Sequence, residues 1–358
     1  MNRRLAIVLI IALAVLHGAT HVRPYDDIES EVYYGLAKFF SGEMSLDQLK
    51  ELAGGIVHFL LRPLTPFLAA AFYPFVGMEL AFVLLNLIFL VLGTLFVYKL
   101  TEAFAGWAAA FSAAVLFPSL PVILYYAVGS RVDMSGFMFA PLLAYLILFR
   151  MGEWRSIIKY VALGLLLGIG LLARESNVFA VLLLLTFLLW KKLTPKNFLA
   201  ILLSAAALLI MWMGVAGLTY TITFKELMIT HGGYEGLLKN PVLFLKSFAG
   251  FSMPALLLAI LGFLSVDSDG TKKVYMLILS TLIPLIPLPQ VPDVRVTFTM
   301  FPALVPLVGI GLVRLASSLA SKPVLSFIGE RGWLVILLIT ILAYNNYMAL
   351  QWFRLIPF

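Results

Sequence analysis

Runs of roughly 18 or more apolar residues recur along the whole of this chain, each long enough to carry a helix across ~30 Å of hydrocarbon. The chain, 358 residues long, is 62% hydrophobic and 12% charged, whereas soluble domains run near 45–50% and about 25%. It reads as an all-α polytopic membrane protein in which 1–358 form a single transmembrane domain. Any chemistry must then lie within the membrane or at its surface.

The pattern predicts about eleven transmembrane helices: 5–22, 78–100, 107–127, 133–150, 157–173, 177–190, 198–220, 247–264, 274–289, 296–314 and 333–350. The two short runs at 157–173 and 177–190 suit a hairpin that does not fully cross. The start, Met1-Asn2-Arg3-Arg4 before an apolar run, has the form of a signal peptide. His17-Gly18-Ala19-Thr20 makes a poor cleavage site, so the run is read as an uncleaved first helix with the N-terminus in the cytoplasm. The cation clusters Arg150, Arg155, Lys159 and Lys191, Lys192, Lys196 then fall in cytoplasmic loops, as the positive-inside rule requires. Asp267, Asp269, Lys272 and Lys273 are read as part of another cytoplasmic loop. The net charge of +7 follows from this sidedness and contact with anionic lipid, not from nucleic-acid binding.

Two segments between spans break the apolar pattern. The first, 23–77, is a long external loop that opens on four carboxylates, Asp26, Asp27, Glu29 and Glu31. Val32, Leu36, Phe39 and Phe40 repeat at helical spacing behind them. Ser45 is placed to cap a second helix, and Arg62-Pro63-Leu64-Thr65-Pro66 closes the apolar part. The region is expected to form helices lying in the interface. The second segment, 221–246, carries His231-Gly232-Gly233-Tyr234 and reads as a connector or else as a substrate-gating element.

The acids of the first loop stand on the same side as Arg62, Arg131, Arg174 and Arg295, each at a span edge. Helix capping accounts for one acid near a helix start but not for four. Asp26 and Asp27 are the candidates for a general base, with Asp27 preferred. Glu29 and Glu31 are expected to be solvated or paired with Lys38. Arg131 and Asp133 could form a simple interfacial pair. Arg174-Glu175, between two apolar runs, is more telling, because ionisable groups at membrane depth are costly and usually functional. Tyr33 and Tyr34 fit an interfacial aromatic belt, and Tyr33 is also a candidate for sugar contact.

There is no cysteine, so no thiolate site or disulfide exists. The four histidines are scattered. No cofactor or metal is expected; if a divalent ion were used, Mg²⁺ or Mn²⁺ would suit the hard oxygens of Asp26, Asp27, Glu29 and Asp133.

Taken in order, the Asp26-Asp27 pair, Arg62-Pro63-Leu64-Thr65-Pro66, Arg131-Val132-Asp133, Leu172-Ala173-Arg174-Glu175-Ser176 and Asp293-Val294-Arg295 before Phe301-Pro302 resemble the GT-C superfamily of integral-membrane glycosyltransferases. The resemblance is to the members that use dolichyl- or polyprenyl-phosphate sugars, as protein mannosyltransferases do. It departs where Val296 stands in place of the usual aromatic residue. It implies a GT-C-like fold and a hexosyl- or pentosyltransferase. The donor would be a polyprenyl-phosphate sugar and the acceptor a lipid, glycan or protein hydroxyl. Asp27 or Asp26 would act as base on the extracytoplasmic face of the cell membrane, with inversion. Arg62, Arg131, Asp133, Arg174, Glu175, Arg295 and Tyr33 would bind substrate. This agrees with independent chemistry, since a leaving phosphate calls for cations and arginine offers a planar fork to its oxygens. The rival is a transporter or flippase for a lipid-linked or small anionic substrate. Such a protein carries its charges at mid-membrane, whereas here they gather at one face.

Overall fold

A computed structural model describes residues 3–22, 28–53, 60–126, 129, 131–216, 251–283 and 300–355. Helices make up nearly all of them. Six are long and apolar enough to cross a membrane. The expected count of about eleven is therefore not reached among the described residues, and several expected spans are shorter helices.

The first helix, α1 (Arg3–Thr20), is apolar along its length. The expected external loop supplies three helices, α2 (Ile28–Phe40), α3 (Leu46–Leu52) and α4 (Leu64–Val76). Ser45 caps α3 as its sequence implies. The Ser45 hydroxyl accepts from Gln48 N at 3.2 Å, and the Gln48 side chain accepts from Ser45 N at 2.9 Å. On α2 the fully buried face is Val32, Tyr33, Leu36 and Ala37; of the expected stripe Val32 and Leu36 lie on it, while Phe39 and Phe40 are half-buried. Pro63 starts α4, where a missing N–H costs little.

Next, α5 (Met78–Leu116) is two arms joined where Ala105 and Gly106 leave helical geometry. Gly106 has φ of 78°, a backbone state that glycine takes without strain. The arms run in opposite directions. Asn86, early in the first arm, bonds the backbone at Gly129 and Arg131. Glu102, at the far end of that arm, bonds Arg3 at 2.6 Å. Past the bend the chain returns, and the ring of Phe117 meets Phe301. Phe301 in turn stacks on Phe137, one turn into α7. Residues 107–116 thus stand where a separate span was expected, ahead of α6 (Pro121–Tyr126).

Then come α7 (Asp133–Tyr145), α8 (Ile157–Ala173), α9 (Phe179–Leu189) and α10 (Pro195–Val215). Helix α8 has 17 residues and α9 has 11, with a tight turn over Glu175–Val178 between them. Helix α8 is at the lower bound of the ~17–25 residues a span takes, and α9 is well short of it. After them α11 (Met253–Phe263), α12 (Ser268–Leu282), α13 (Phe301–Ala320) and α14 (Gly329–Leu355) complete the bundle. One expected loop is helical instead. Asp267 caps α12 by accepting from Gly270 N at 2.6 Å, so Asp269, Lys272 and Lys273 form its first turns. The cap and the Asp269–Lys273 pair at 2.8 Å outweigh the polarity that suggests a loop.

The core is continuous. Helix α13 packs between α11 and the second arm of α5, α7 packs on α5, and α10 lies along α8. The start of α2, the residues before α4, the start of α7 and the turn after α8 all come to one end of the bundle.

Candidate active site

At that end the first contact is a fork. The guanidinium of Arg62 donates to Glu175 twice, Nε to Oε2 at 2.8 Å and Nη2 to Oε1 at 2.5 Å. Its remaining nitrogen, Nη1, reaches Glu29 Oε1 at 3.4 Å and the Tyr33 hydroxyl oxygen at 3.2 Å. The Tyr33 hydroxyl donates to the same Glu29 oxygen at 3.2 Å. The other oxygen of Glu29 lies 3.4 Å from Arg131 Nη1. Arg131 also sits over the ring of Tyr126, 5.5 Å from its centre. Beside this chain Arg174 pairs with Asp133. Six of the expected substrate-binding residues, Arg62, Arg131, Asp133, Arg174, Glu175 and Tyr33, thus meet in one network.

Its depth sets its energetics. The side chain of Asp133 is 0% exposed and that of Glu29 is 7% exposed, whereas that of Glu175 is 49% exposed. Desolvation costs several kcal/mol per buried ion, so such a cluster holds only when every charge faces an opposite one. Burial also pushes the Tyr33 hydroxyl well above the usual phenol range, against the pull of Arg62, so it stays protonated and can donate. Burial works against the charge of Arg62, but Glu175 and Glu29 more than offset it. At Glu175 burial would raise the carboxyl, yet Arg62 and then Arg174 hold it well below the ordinary carboxylate range.

Three expectations are corrected. Glu29 is neither solvated nor paired with Lys38. It lies on the buried face of α2, one turn before Tyr33, and bridges Arg62 and Arg131. Arg131 and Asp133 are not a local pair, since α7 turns Asp133 toward Arg174 and leaves Arg131 with Glu29. Tyr33 is fully buried, not part of a surface belt. Asp26, Asp27, Arg295 and the segment 221–246 lie outside the described residues.

Several supporting residues carry no plain signal in the sequence. Asn86, fully buried in α5, donates from Nδ2 to the carbonyls of Gly129 at 2.6 Å and Arg131 at 2.7 Å, which fixes the strand of chain bearing Arg131. Asn177 donates to Gly170 O at 2.9 Å and holds the turn bearing Arg174 and Glu175. Trp212 Nε1 donates to Leu60 O at 2.8 Å and holds the approach to Arg62. Gly136 makes room for Arg174, because a Cβ there would lie 2.6 Å from Arg174 Cβ and 2.8 Å from its Cδ.

Among the described residues no group of three His, Cys, Asp or Glu is placed to hold a metal ion. Glu29 and Asp133, two of the oxygens a divalent ion would use, each face an arginine instead.

A family model described as dolichyl-phosphate-mannose-protein mannosyltransferase matches residues 62–220, the stretch from Arg62 through α10. Among solved structures, ArnT from Cupriavidus metallidurans bound to undecaprenyl phosphate superposes with a TM-score of 0.63 at 12% identity, over 98% of this chain and 72% of that one. This chain has the GT-C fold. A second GT-C structure agrees: the archaeal oligosaccharyltransferase AglB from Archaeoglobus fulgidus, in complex with an inhibitory peptide and a dolichol-phosphate. It gives a TM-score of 0.56 at 13% identity, over 96% of this chain and 55% of AglB. Comparison with curated protein sequences gives no significant match. Six helices long and apolar enough to cross a membrane agree with a multi-pass membrane protein, and Arg62, Arg131 and Arg174 lie within the residues the family model matches.

Proposed function

We propose that this chain is a glycosyltransferase that moves a hexose or pentose from a polyprenyl-phosphate-linked donor to a hydroxyl of a lipid, glycan or protein. The reaction takes place on the extracytoplasmic face of the cell membrane, with the N-terminus in the cytoplasm. The observation that carries this reading is the gathering of Arg62, Arg131 and Arg174 with interleaved acids at one end of an apolar bundle. A lipid-linked phosphate presents its reacting bond at that depth. The fold supports the same class, and two proteins that share it were solved with a polyprenyl phosphate.

Asp27, or Asp26, takes the proton of the acceptor hydroxyl. The acceptor oxygen attacks the anomeric carbon from the side opposite the phosphate. The bond from that carbon to the phosphate oxygen breaks, and the phosphate leaves with the electron pair. Arg62, Arg131 and Arg174, with Arg295, stabilise the charge that grows on it. A single displacement inverts the anomeric centre. Asp27 is two residues before Glu29 in sequence. Tyr33 keeps its proton and orients Arg62. No step is assigned to a metal.

The test is transfer from radiolabelled polyprenyl-phosphate sugars by purified protein, with Arg62→Gln and Arg131→Gln beside wild type. Loss of one charge-stabilising group should lower turnover about 10²–10³-fold. Full turnover in both variants would remove the arginines from the mechanism.

A further inference from the structure

The Arg62 fork is already filled. Glu175 takes two of its donors in parallel, the same two-point contact a guanidinium offers a phosphate. The third nitrogen is engaged by Glu29 and Tyr33. Glu175 covers the Nε–Nη2 edge, the one that offers a phosphate two parallel donors.

That edge is also the open one. The Glu175 side chain is 49% exposed, against 7% for Glu29 and 0% for Asp133, and Arg62 itself is 9% exposed. Of the three acids in the network, Glu175 alone can reach water by turning about its own side-chain bonds. The backbone beneath it need not move. Arg174 N donates to Gly170 O at 2.9 Å, and Asn177 bonds that same carbonyl at 2.9 Å. Arg174, next in sequence, is paired with Asp133 and not with Glu175.

Charge balance points the same way. The described network sets three arginines against three acids. An added phosphate is met favourably when one carboxylate withdraws, and crowds like charge when none does.

We infer that Glu175 is a displaceable stand-in for the donor's phosphate: its carboxylate occupies the Arg62 fork, yields it to a polyprenyl phosphate on binding, and competes to regain it when the lipid phosphate product leaves. This rests on the reading of Arg62 as a phosphate ligand. The contest lowers affinity for donor and product alike, which favours product release, and it keeps adventitious anions off the fork.

The experiment measures binding of a short-chain polyprenyl monophosphate to the purified full-length chain in nanodiscs, with the matching polyprenyl alcohol as control. If the fork is open about one tenth of the time, removing Glu175 tightens binding about tenfold. Glu175→Gln and Glu175→Ala should both bind the phosphate more tightly than wild type. Arg62→Gln should bind it more weakly, and adding Glu175→Gln to Arg62→Gln should restore nothing. If both Glu175 variants bind no more tightly than wild type while Arg62→Gln is weakened, Glu175 supports Arg62 and is no stand-in. If Arg62→Gln binds as wild type does, or the alcohol binds as tightly as the phosphate, the phosphate reading of Arg62 fails first and takes this inference with it.

Discussion

Arg174 and Glu175 are adjacent in sequence but pair in opposite directions, Arg174 with Asp133 on α7 and Glu175 with Arg62 ahead of α4. The turn after α8 therefore ties together two parts of the chain that are remote in sequence. Substitutions in this turn should affect the site as a unit.

The bridge made by Glu29 is the least replaceable carboxylate. Glu29→Ala removes the carboxylate that joins buried Arg62 to half-buried Arg131, and breaking a buried pair from one side costs about 3–5 kcal/mol. Thermal unfolding in detergent should show a large drop for Glu29→Ala and a smaller one for Glu29→Gln, which keeps a hydrogen-bond acceptor. Both should lose most transfer activity. A Glu29→Ala protein as stable as wild type would show that the bridge is not a structural element.

Gly136 is a steric test of the site. Alanine there puts a methyl against Arg174, 2.6 Å from its Cβ. Overpacking of this kind costs about 1–3 kcal/mol. Arg174 must shift off Asp133, so turnover should fall further than stability does. Thermal stability and turnover of Gly136→Ala, measured side by side, check this; unchanged turnover would show that Arg174 has slack.

Asn86 acts through the backbone. Asn86→Leu orphans two buried carbonyls, each costing about 1–3 kcal/mol, and frees the chain around Arg131. Donor KM should rise more than kcat falls, with Asn86→Gln recovering part of the loss. An equal fall in kcat and kcat/KM would place Asn86 in the chemical step instead.

The Arg62–Glu175 pair sets a pH signature. Glu175 has a depressed folded pKa, so its contribution is complete above the unfolded value of about 4.3 and is lost as pH falls through the lower folded value. Wild type should be more stable than Glu175→Gln at neutral pH. The gap should stay constant down to about pH 5 and close only below pH ~4. Melting curves across that range measure it; a gap that closes near pH 6 would mean the carboxyl is not held down by Arg62.

Local chemistry was the readable part of this chain. The apolar runs at 78–100 and 198–220 and the Ser45 cap lie close to where α5, α10 and α3 form, because span length and capping depend on neighbours in sequence. The arginines of the site were legible because charge at a span edge in so apolar a chain stands out. The pairing was not. Glu29 sits three and seven residues before Val32 and Leu36, at the spacing of the buried face of α2, and that period alone would have placed it inside. Its composition as an acid argued for water, and Arg62 and Arg131, both remote in sequence, reverse that. Asn86 gave no signal, since its partners are backbone carbonyls that any residue could supply. The shortening of α8 and α9 depends on the turn at 175–178, whose charges are stable only beside α7 and Arg62.

Sugar transfer from radiolabelled polyprenyl-phosphate donors, comparing wild type with Asp26→Asn and Asp27→Asn, is the most direct test of glycosyl transfer. Wild type should consume at least one donor, and Asp27→Asn or Asp26→Asn should lose about 10²–10⁴-fold in turnover, the usual worth of a general base. Full transfer by both variants would contradict the assignment of the base, and a wild-type protein that neither binds nor consumes any donor would contradict glycosyl transfer itself.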